Sequence, residues 1–314
     1  PEPTPASVAE AARRIAGLVH RTPLLTCRAL DERSGATIVV KGEHLQKVGA
    51  FKARGATNAI RSLDPDVAAR GVACHSSGNH GQALALAARE AGVPAWVVVP
   101  ETDNPVKVEA IRGYCATVVP CASGLAAREA RVAEVLAQTG ATDVHPYDQP
   151  AVIAGAGTAV LELLEYQPDL DVVLAPVGGG GLLSGTTLAA RGRVEVWGAE
   201  PLAADDAARS LATGTRQDQQ APHTIADGLT TALSERTFGI IRVGVTRIAT
   251  VTEDEIVEAM RFVWTRMKQG IEPSAAVPFA VVLRGDLAGR RVGLIASGGN
   301  VDLDRLPWGP PGPA

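Results

Sequence analysis

The chain of 314 residues is 46% hydrophobic and 20% charged, the composition of an ordinary globular protein that can bury a large core. Its formal net charge of -4, without any Lys/Arg-rich block, argues against nucleic-acid binding. The longest apolar runs fall far short of the roughly 20 residues that span a bilayer. The N-terminus lacks the pattern of a secretory signal. We therefore expect a cytoplasmic protein without a nucleic-acid or membrane partner.

Short apolar runs rich in β-branched residues alternate with alanine-rich helical stretches along most of the chain. The predicted buried strands are Ile38–Lys41, Val72–His75, Ala95–Val99, Thr117–Val119, Val172–Val177, Val194–Ala199 and Val292–Ala296. The predicted helices are Asn79–Ala91, Pro105–Gly113, Gly124–Thr139, Gly157–Tyr166 and Leu182–Arg191. This alternation predicts an α/β fold with mainly parallel sheets that are covered by helices on both faces.

Two further helix starts and the cysteines complete the local predictions. Ser7-x-x-Glu10 and Thr252-x-x-Glu255 both fit a capping box, in which side chains satisfy the free N–H groups of the first turn. The cysteines contain no C-x-x-C pair, so free thiols in a reducing compartment are predicted rather than a zinc site or a disulfide framework. They are Cys27, Cys74, Cys115 and Cys121.

Three polar or glycine-rich turns each follow a predicted strand, where ligands of parallel sheets bind. Gly178-Gly179-Gly180-Gly181 precedes a helical run, so its backbone N–H groups can surround a phosphate at a helix N-terminus; the alternative is a flexible turn. Ser76-Ser77-Gly78-Asn79-His80-Gly81 offers hydroxyls and N–H groups to a carboxylate, or is simply a polar helix start. Ser297-Gly298-Gly299-Asn300, taken alone, predicts a tight turn.

Lys52 is bracketed by small residues and follows an aromatic one, in Gly49-Ala50-Phe51-Lys52-Ala53-Arg54-Gly55. A single lysine is normally a solvated surface group. Here the neighbours favour partial burial, which would lower the pKa of the amine and make it available for Schiff-base chemistry.

Taken together, these segments resemble the serine racemase/threonine dehydratase group of the fold-type II (tryptophan synthase β-like) pyridoxal-phosphate (PLP) enzymes. The motifs that carry the likeness are Phe51-Lys52-x-Arg54-Gly55-Ala56, Ser76–Gln82, His145-Pro146, Ile153-Ala154-Gly155, Gly178–Gly181 and Ser297–Asn300. The resemblance implies two three-layer α/β/α domains with mainly parallel sheets. Residues 1–69 and 146–314 would form a large PLP-binding domain and residues 70–145 a small one. It also implies a homodimer.

The resemblance assigns the PLP cofactor to residues around Lys52, which would hold it covalently next to Phe51. Gly178–Gly181 would bind its phosphate, Asn79 would contact the ring hydroxyl and Ser297 the pyridine nitrogen. A serine does little to stabilise a protonated ring nitrogen, which suits elimination or racemisation better than transamination.

The substrate and metal residues are also implied by the resemblance. Ser77 would be an acid/base on the cofactor face opposite Lys52. The residues near a small amino-acid substrate would be Ser76, Ser77, Asn79, His80, Arg128 and Thr231. The carboxylates of Glu200 and Asp206, with the backbone carbonyl of Ala204, would bind Mg²⁺, or Ca²⁺ or Mn²⁺, since oxygen ligands suit hard cations. The alternative for this segment is an acidic helix start.

The chain departs from the pattern of this group at Val48, Ala50, Ala156 and Pro278, which leaves the substrate open. The first expectation is a dehydratase (ammonia-lyase) acting on serine, threonine or 3-hydroxyaspartate. The alternative is a serine or aspartate-like racemase that uses Lys52 and Ser77. Two remoter possibilities are a non-catalytic protein that binds a phosphate ligand and a β-replacement synthase, which would need a second nucleophile.

Overall fold

The computed structural model describes residues 2–76, 78–102, 105–220 and 222–308, with the backbone alone for residues 105–107. Its strands are β1 Leu24–Leu25, β2 Thr37–Lys41, β3 Val72–His75, β4 Ala95–Pro100, β5 Thr117–Cys121, β6 Thr142–Asp143, β7 Val172–Pro176, β8 Glu195–Pro201, β9 Arg247–Val251 and β10 Arg291–Ile295. Its helices are α1 Pro5–Ile15, α2 Arg28–Ser34, α3 Lys52–Arg61, α4 Pro65–Ala68, α5 Asn79–Ala91, α6 Pro105–Gly113, α7 Leu125–Thr139, α8 Pro150–Tyr166, α9 Gly181–Ala190, α10 Asp206–Thr213, α11 Glu235–Gly244, α12 Glu253–Phe262 and α13 Pro273–Leu283.

The strands form two sheets. The larger has the order β1-β2-β10-β7-β8-β9 and is parallel except for the short β1, which pairs antiparallel with β2. The smaller sheet has the order β5-β4-β3-β6 and is parallel throughout. Its strands all lie between residues 72 and 143 of the chain. The predicted α/β fold with two mainly parallel sheets is confirmed. The domain boundaries at residues 70 and 145 stay a prediction.

Helices cover both faces of the large sheet because successive side chains of a strand point to opposite faces. In β7, Val172 and Leu174 pack with the core that α12 and α13 complete, whereas Val173 and Ala175 pack with the core of α8 and α9. The small sheet is arranged in the same way, with α5 on one face and α7 on the other.

The predicted strands and helices are all present, and the largest difference is at the start of α8. The sequence predicted a start at Gly157, but the helix begins at Pro150 and includes Gly155. A Cβ on Gly155 would lie 2.6 Å from the Arg54 carbonyl oxygen, and one on Gly157 would lie 2.6 Å from that of Gly185. Both glycines are therefore needed for the close packing of this helix on α3 and α9.

One of the two predicted capping boxes is confirmed and the other is wrong. Thr252 and Glu255 exchange side-chain and backbone hydrogen bonds at the start of α12. At α1 the cap is Thr4, and Ser7 is its partner inside the first turn. The helix starts earlier than predicted because Pro5, with its fixed φ, occupies the first helical position.

Two exclusions drawn from composition can be compared with the structure. Within the described ranges, no helix combines the length and apolarity that a bilayer crossing requires. The four cysteines are free thiols, as predicted.

Candidate active site

Lys52, the glycine loop and Ser297 lie at one edge of the large sheet, beyond the carboxyl ends of adjacent strands. The loop follows β7 and Ser297 follows β10, and these two strands are neighbours. The segment before Lys52 is tied to the turn after β10, since the Phe51 N–H donates to the Ser297 carbonyl at 3.0 Å. Ala50 also forms an antiparallel bridge with Gly298. The sheet topology thus brings together residues that are far apart in sequence.

The amine of Lys52 is placed where it loses its proton easily. Its Nζ donates to the Pro146 carbonyl oxygen at 2.6 Å and lies 5.1 Å from the centre of the Phe51 ring. Burial lowers the pKa of this amine to about 8, although the negative charge of Glu272 acts in the opposite direction. About a quarter of such an amine is unprotonated at pH 7.5, against about one part in a thousand of an ordinary lysine.

The loop Gly178–Gly181 requires glycine for its packing. A Cβ on Gly178 would lie 2.9 Å from the Leu229 Cα, and one on Gly181 would lie 3.0 Å from the Tyr147 Cα. Gly180 has a φ of +87°, in the left-handed region that glycine favours. The loop leads directly into α9, and the free N–H groups at the N-terminus of a helix are a place where proteins bind anions.

The small sheet contributes the turn between β3 and α5. A Cβ on Gly81 would lie 1.8 Å from the Ser76 carbonyl oxygen, so the tight turn itself demands this glycine. Asn79 is the first residue of α5. Ser77, predicted as the second catalytic residue, lies outside the described residues.

His80 is buried in α5 and neutral. Burial, and then the charge of Lys52, lowers its pKa to about 3. Its Nε2 lies 2.7 Å from the Val144 carbonyl oxygen, which can only accept, so Nε2 carries the proton. Its Nδ1 is buried without a hydrogen-bond partner. His80 therefore adds no positive charge for a substrate carboxylate.

Arg128 and Thr231 are related to this region through neighbouring residues. The Arg128 guanidinium, on α7, has a buried Nε without a hydrogen-bond partner. Its charge is the second cause, after burial, that lowers the pKa of His75, which immediately precedes Ser76. Thr231 comes two residues after Leu229, whose Cα would lie 2.9 Å from a Cβ on Gly178.

His145 and Tyr147 flank Pro146, whose carbonyl accepts from Lys52, and neither was predicted as a site residue. His145 was only part of a quoted motif, and Tyr147 was not considered. His145 packs edge-on against Tyr147, with ring centres 4.6 Å apart. The His145 Nδ1 accepts from the backbone N–H of Asp148 at 2.9 Å, so its proton is on Nε2. Burial lowers the pKa of His145 to about 4. The sequence contained His145-Pro146 as a signal, but nothing in it indicated that the Tyr147 ring packs on the glycine loop.

Glu272 is the site residue that sequence reasoning missed entirely. Its carboxylate accepts from the Asn79 Nδ2 at 2.9 and 3.1 Å and from the Asn300 backbone N–H at 3.2 Å. The Asn300 Nδ2 in turn donates to the Asn79 Oδ1 at 2.8 Å and to the Val48 carbonyl at 2.7 Å. The only local signal was Glu272-Pro273, which indicates a helix start and not the direction of the carboxylate.

The predicted metal residues form a buried acidic pair. Glu200, at the end of β8, accepts from the Ala207 and Ala208 N–H groups at 3.1 and 2.9 Å. The Asp206 Oδ2 accepts from the Leu233 N–H at 3.2 Å, whereas its Oδ1 is buried without a partner. Both side chains are fully buried.

Burial, more than any other cause, raises the pKa of both carboxyls. That of Asp206 reaches about 6, and that of Glu200 lies well above its ordinary range. Ala204 belongs to the short 3₁₀ turn between the two residues. No group of three or more His, Cys, Asp or Glu side chains that could hold a metal occurs in the described part of the chain. A cation here would therefore need backbone or water ligands beside the two carboxylates.

Comparison with known proteins identifies the family. Residues 15–298 match the family described as "Pyridoxal-phosphate dependent enzyme". The chain is similar to the serine racemase of Dictyostelium discoideum, with 47% identity over 95% of both chains, and its crystal structure superposes with a TM-score of 0.92 over 96% of this chain and 99% of that one. It is also 45% identical to the beta-hydroxyaspartate dehydratase of Paracoccus denitrificans (strain Pd 1222), over 98% of this chain and 99% of the relative. The chain belongs to the family of pyridoxal-phosphate dependent enzymes.

Proposed function

We propose that the chain is a PLP-dependent ammonia-lyase that converts a small β-hydroxy amino acid into a 2-oxo acid and ammonia. Serine, threonine and 3-hydroxyaspartate are the candidate substrates. The observation that carries the proposal is the half-buried amine of Lys52, with its pKa lowered to about 8, at the sheet edge that also holds the glycine loop and Ser297. The names of the relatives, dehydratase and racemase, support the same type of substrate.

The residues present fit PLP. The loop Gly178–Gly181 fits the phosphate of PLP. Its backbone has no room for a Cβ, and it leads into the N-terminus of α9, where free N–H groups can bind an anion. The aldehyde of PLP needs an unprotonated amine, which Lys52 supplies. Ser297, only 4% exposed, offers a neutral hydroxyl to the ring nitrogen, and Asn79 offers an amide to the ring hydroxyl.

Groups of the chain itself bind the substrate and move its protons. PLP, when bound, supplies an electron sink for the substrate Cα. The turn from Ser76 to the start of α5 holds the substrate carboxylate with N–H groups, and Arg128 supplies a positive charge at that side. Lys52 takes the proton from Cα, because an amine with a pKa near 8 accepts and releases protons at neutral pH. The proton from Cα and the β-hydroxyl leave together as water. The enamine that remains tautomerises to an imine, and addition of water to this imine gives the 2-oxo acid and ammonia.

A racemase is the second candidate, and the similarity to a serine racemase favours it. Two acid/base groups on opposite faces of the substrate Cα would exchange its configuration. Lys52 would serve one face and Ser77 the other. Both activities use the same Cα–H cleavage, so one protein can carry both.

A divalent cation at Glu200 and Asp206 is the finer part of the proposal. It is supported by the buried Asp206 Oδ1, which has no hydrogen-bond partner, and by the raised pKa of both carboxyls. Oxygen ligands of this kind suit Mg²⁺ or Ca²⁺. A homodimer in the cytoplasm completes the proposal on the strength of the family resemblance alone.

The test is a substrate panel run with the wild-type chain and with Lys52→Ala. L-serine, D-serine, L-threonine and the isomers of 3-hydroxyaspartate are scored for release of oxo acid and for change of configuration. We expect at least one substrate to yield oxo acid, and Lys52→Ala to lose both this activity and the borohydride-fixed PLP. A chain that takes up no PLP would indicate a different phosphate ligand. Activity only with an added nucleophile such as sulfide would indicate β-replacement.

A further inference from the structure

We infer that Glu272 is a positioning residue of the cofactor site, which fixes the Asn79 side-chain amide so that one of its N–H groups faces the cofactor ring. The inference rests on the proposed function, because Asn79 has this role only in a PLP site. It concerns the carboxylate of the residue that precedes α13.

The carboxylate of Glu272 is committed to the site and not to its own helix. Glu272 occupies the N-cap position of α13, where a short polar side chain normally accepts from the first turn, yet it makes no such bond. Its oxygens instead accept from the Asn79 Nδ2 and the Asn300 N–H. The side chain is 6% exposed, so these hydrogen bonds are shielded from water. A Cβ on Gly298 would lie 2.4 Å from its Oε1, so this glycine leaves the space that the carboxylate fills.

The direction of each hydrogen bond in this set follows from chemistry. A carboxylate can only accept, so the Asn79 atom that faces Glu272 is the amide nitrogen and the other is the oxygen. That oxygen accepts from the Asn300 Nδ2. The second bond of the same Nδ2 goes to the Val48 carbonyl, which also only accepts. Acceptors at both ends therefore fix the orientation of both amides.

This arrangement has a consequence for the cofactor. The Asn79 Oδ1 already accepts a hydrogen bond, and one N–H of its Nδ2 faces Glu272. The donor left to Asn79 is its second N–H, which is the group that a ring oxygen requires. A glutamine at position 272 would bring an N–H of its own, so the Asn79 amide could turn and present its oxygen instead.

The experiment is a double-mutant cycle on the affinity of the apoenzyme for PLP, measured by absorbance titration of the full chain. The variants are Glu272→Gln, Asn79→Ala and the double variant. We expect Glu272→Gln to weaken PLP binding by about tenfold or more, since hydrogen bonds to charged groups are the stronger ones. In the Asn79→Ala background the same substitution should change the affinity by less than about twofold, because its target is gone. The inference would be overturned if the double variant lost PLP affinity by the product of the two single-variant losses.

Two controls separate positioning from a purely structural role. Glu272→Asp keeps a carboxylate and should recover part of the affinity and the visible absorption maximum of bound PLP, whereas Glu272→Gln should shift that maximum. Glu253→Gln alters a carboxylate at the start of α12 that accepts from the Ile225 N–H, and should leave PLP affinity unchanged. An absorption maximum that is the same in the wild type and Glu272→Gln would contradict the inference.

A variant at an exposed position keeps the test decisive if Glu272→Gln does not fold. Asn300→Ala removes the donor to the Asn79 Oδ1 and should weaken PLP binding in the wild-type background but not in Asn79→Ala. If the wild type takes up no PLP that borohydride fixes to Lys52, the proposed function fails. If it does and the variants act independently, only the role of Glu272 fails.

Discussion

Replacing a buried acid should stabilise this protein when no divalent cation is present. Asp206→Asn removes a carboxylate that is fully buried next to Glu200. Asparagine has nearly the same shape, so its oxygen can still accept from the Leu233 N–H, and its amide N–H₂ can face Glu200. The substitution thus removes the charge without opening a cavity, and the stability of the cation-free protein at neutral pH should rise.

The magnitude follows from the pKa of Asp206. Burial raises it from 3.8 to about 6, and about 2 units correspond to about 3 kcal/mol. The folded state binds this proton more tightly than the unfolded state, so stability is lost as the pH rises from about 4 to about 6 and stays lost above. For a chain of 314 residues, about 3 kcal/mol corresponds to a change in Tm of about 5 °C.

The assay is thermal unfolding of both proteins from pH 4.5 to 8, with a chelator and then with Mg²⁺. With chelator, the Tm of Asp206→Asn should exceed that of the wild type at pH 7.5, and the difference should shrink toward pH 4.5. Mg²⁺ at 100 times its Kd should stabilise the wild type by about 2.7 kcal/mol and leave the variant unchanged. The reasoning would be refuted if the Tm of the variant were lower than that of the wild type in chelator, or if Mg²⁺ left the Tm of the wild type unchanged.

Three further predictions concern the cofactor and the two residues proposed as catalytic. Gly178→Ala places a Cβ 2.9 Å from the Leu229 Cα. It should weaken PLP binding and lower the free energy of unfolding by about 1–3 kcal/mol, the cost of overpacking, which a lower Tm would show. Gly239→Ala, in open space on α11, should raise stability by about 0.5–1 kcal/mol and leave PLP affinity unchanged; equal effects of the two would contradict the loop's role. The rate at which Lys52 of the apoenzyme captures PLP should rise with pH around a midpoint near 8, and a midpoint near 10.5 would exclude the lowered pKa. Ser77→Ala should reduce racemisation more than oxo-acid release, and equal losses would contradict its face-specific role.

The sequence predicted the parts of the fold that depend on local pattern. Strand β3 and helix α5 have the predicted ends, because a short apolar run and a long alanine-rich stretch differ in length and composition. The glycine loop was predicted because four consecutive glycines after a strand have few other uses. Lys52 was predicted mainly from the motif around it, because a single lysine is usually a surface group.

The parts that were missed depend on contacts between distant segments. Val48 has a φ of +55°, which a β-branched residue rarely adopts, and its carbonyl is held by Asn300. Nothing within a few residues of Val48 predicts that strain. Pro278 lies inside the buried α13, where the helix continues through it. In each case tertiary packing overrides the local preference on which a sequence prediction depends.

Two buried acidic sites in this chain show how a carboxylate is stabilised in an interior. Burial would raise the pKa of Glu43, but the charge and hydrogen bonds of Arg54 outweigh it and the pKa falls. Glu200 and Asp206 are just as deeply buried, yet no lysine or arginine of the described residues forms an ion pair with either. Their pKa values rise instead. The chain supplies a counter-charge at one buried acid and, among the described residues, no ion pair at the two others. This contrast is the physical basis on which we propose a bound cation at Glu200 and Asp206.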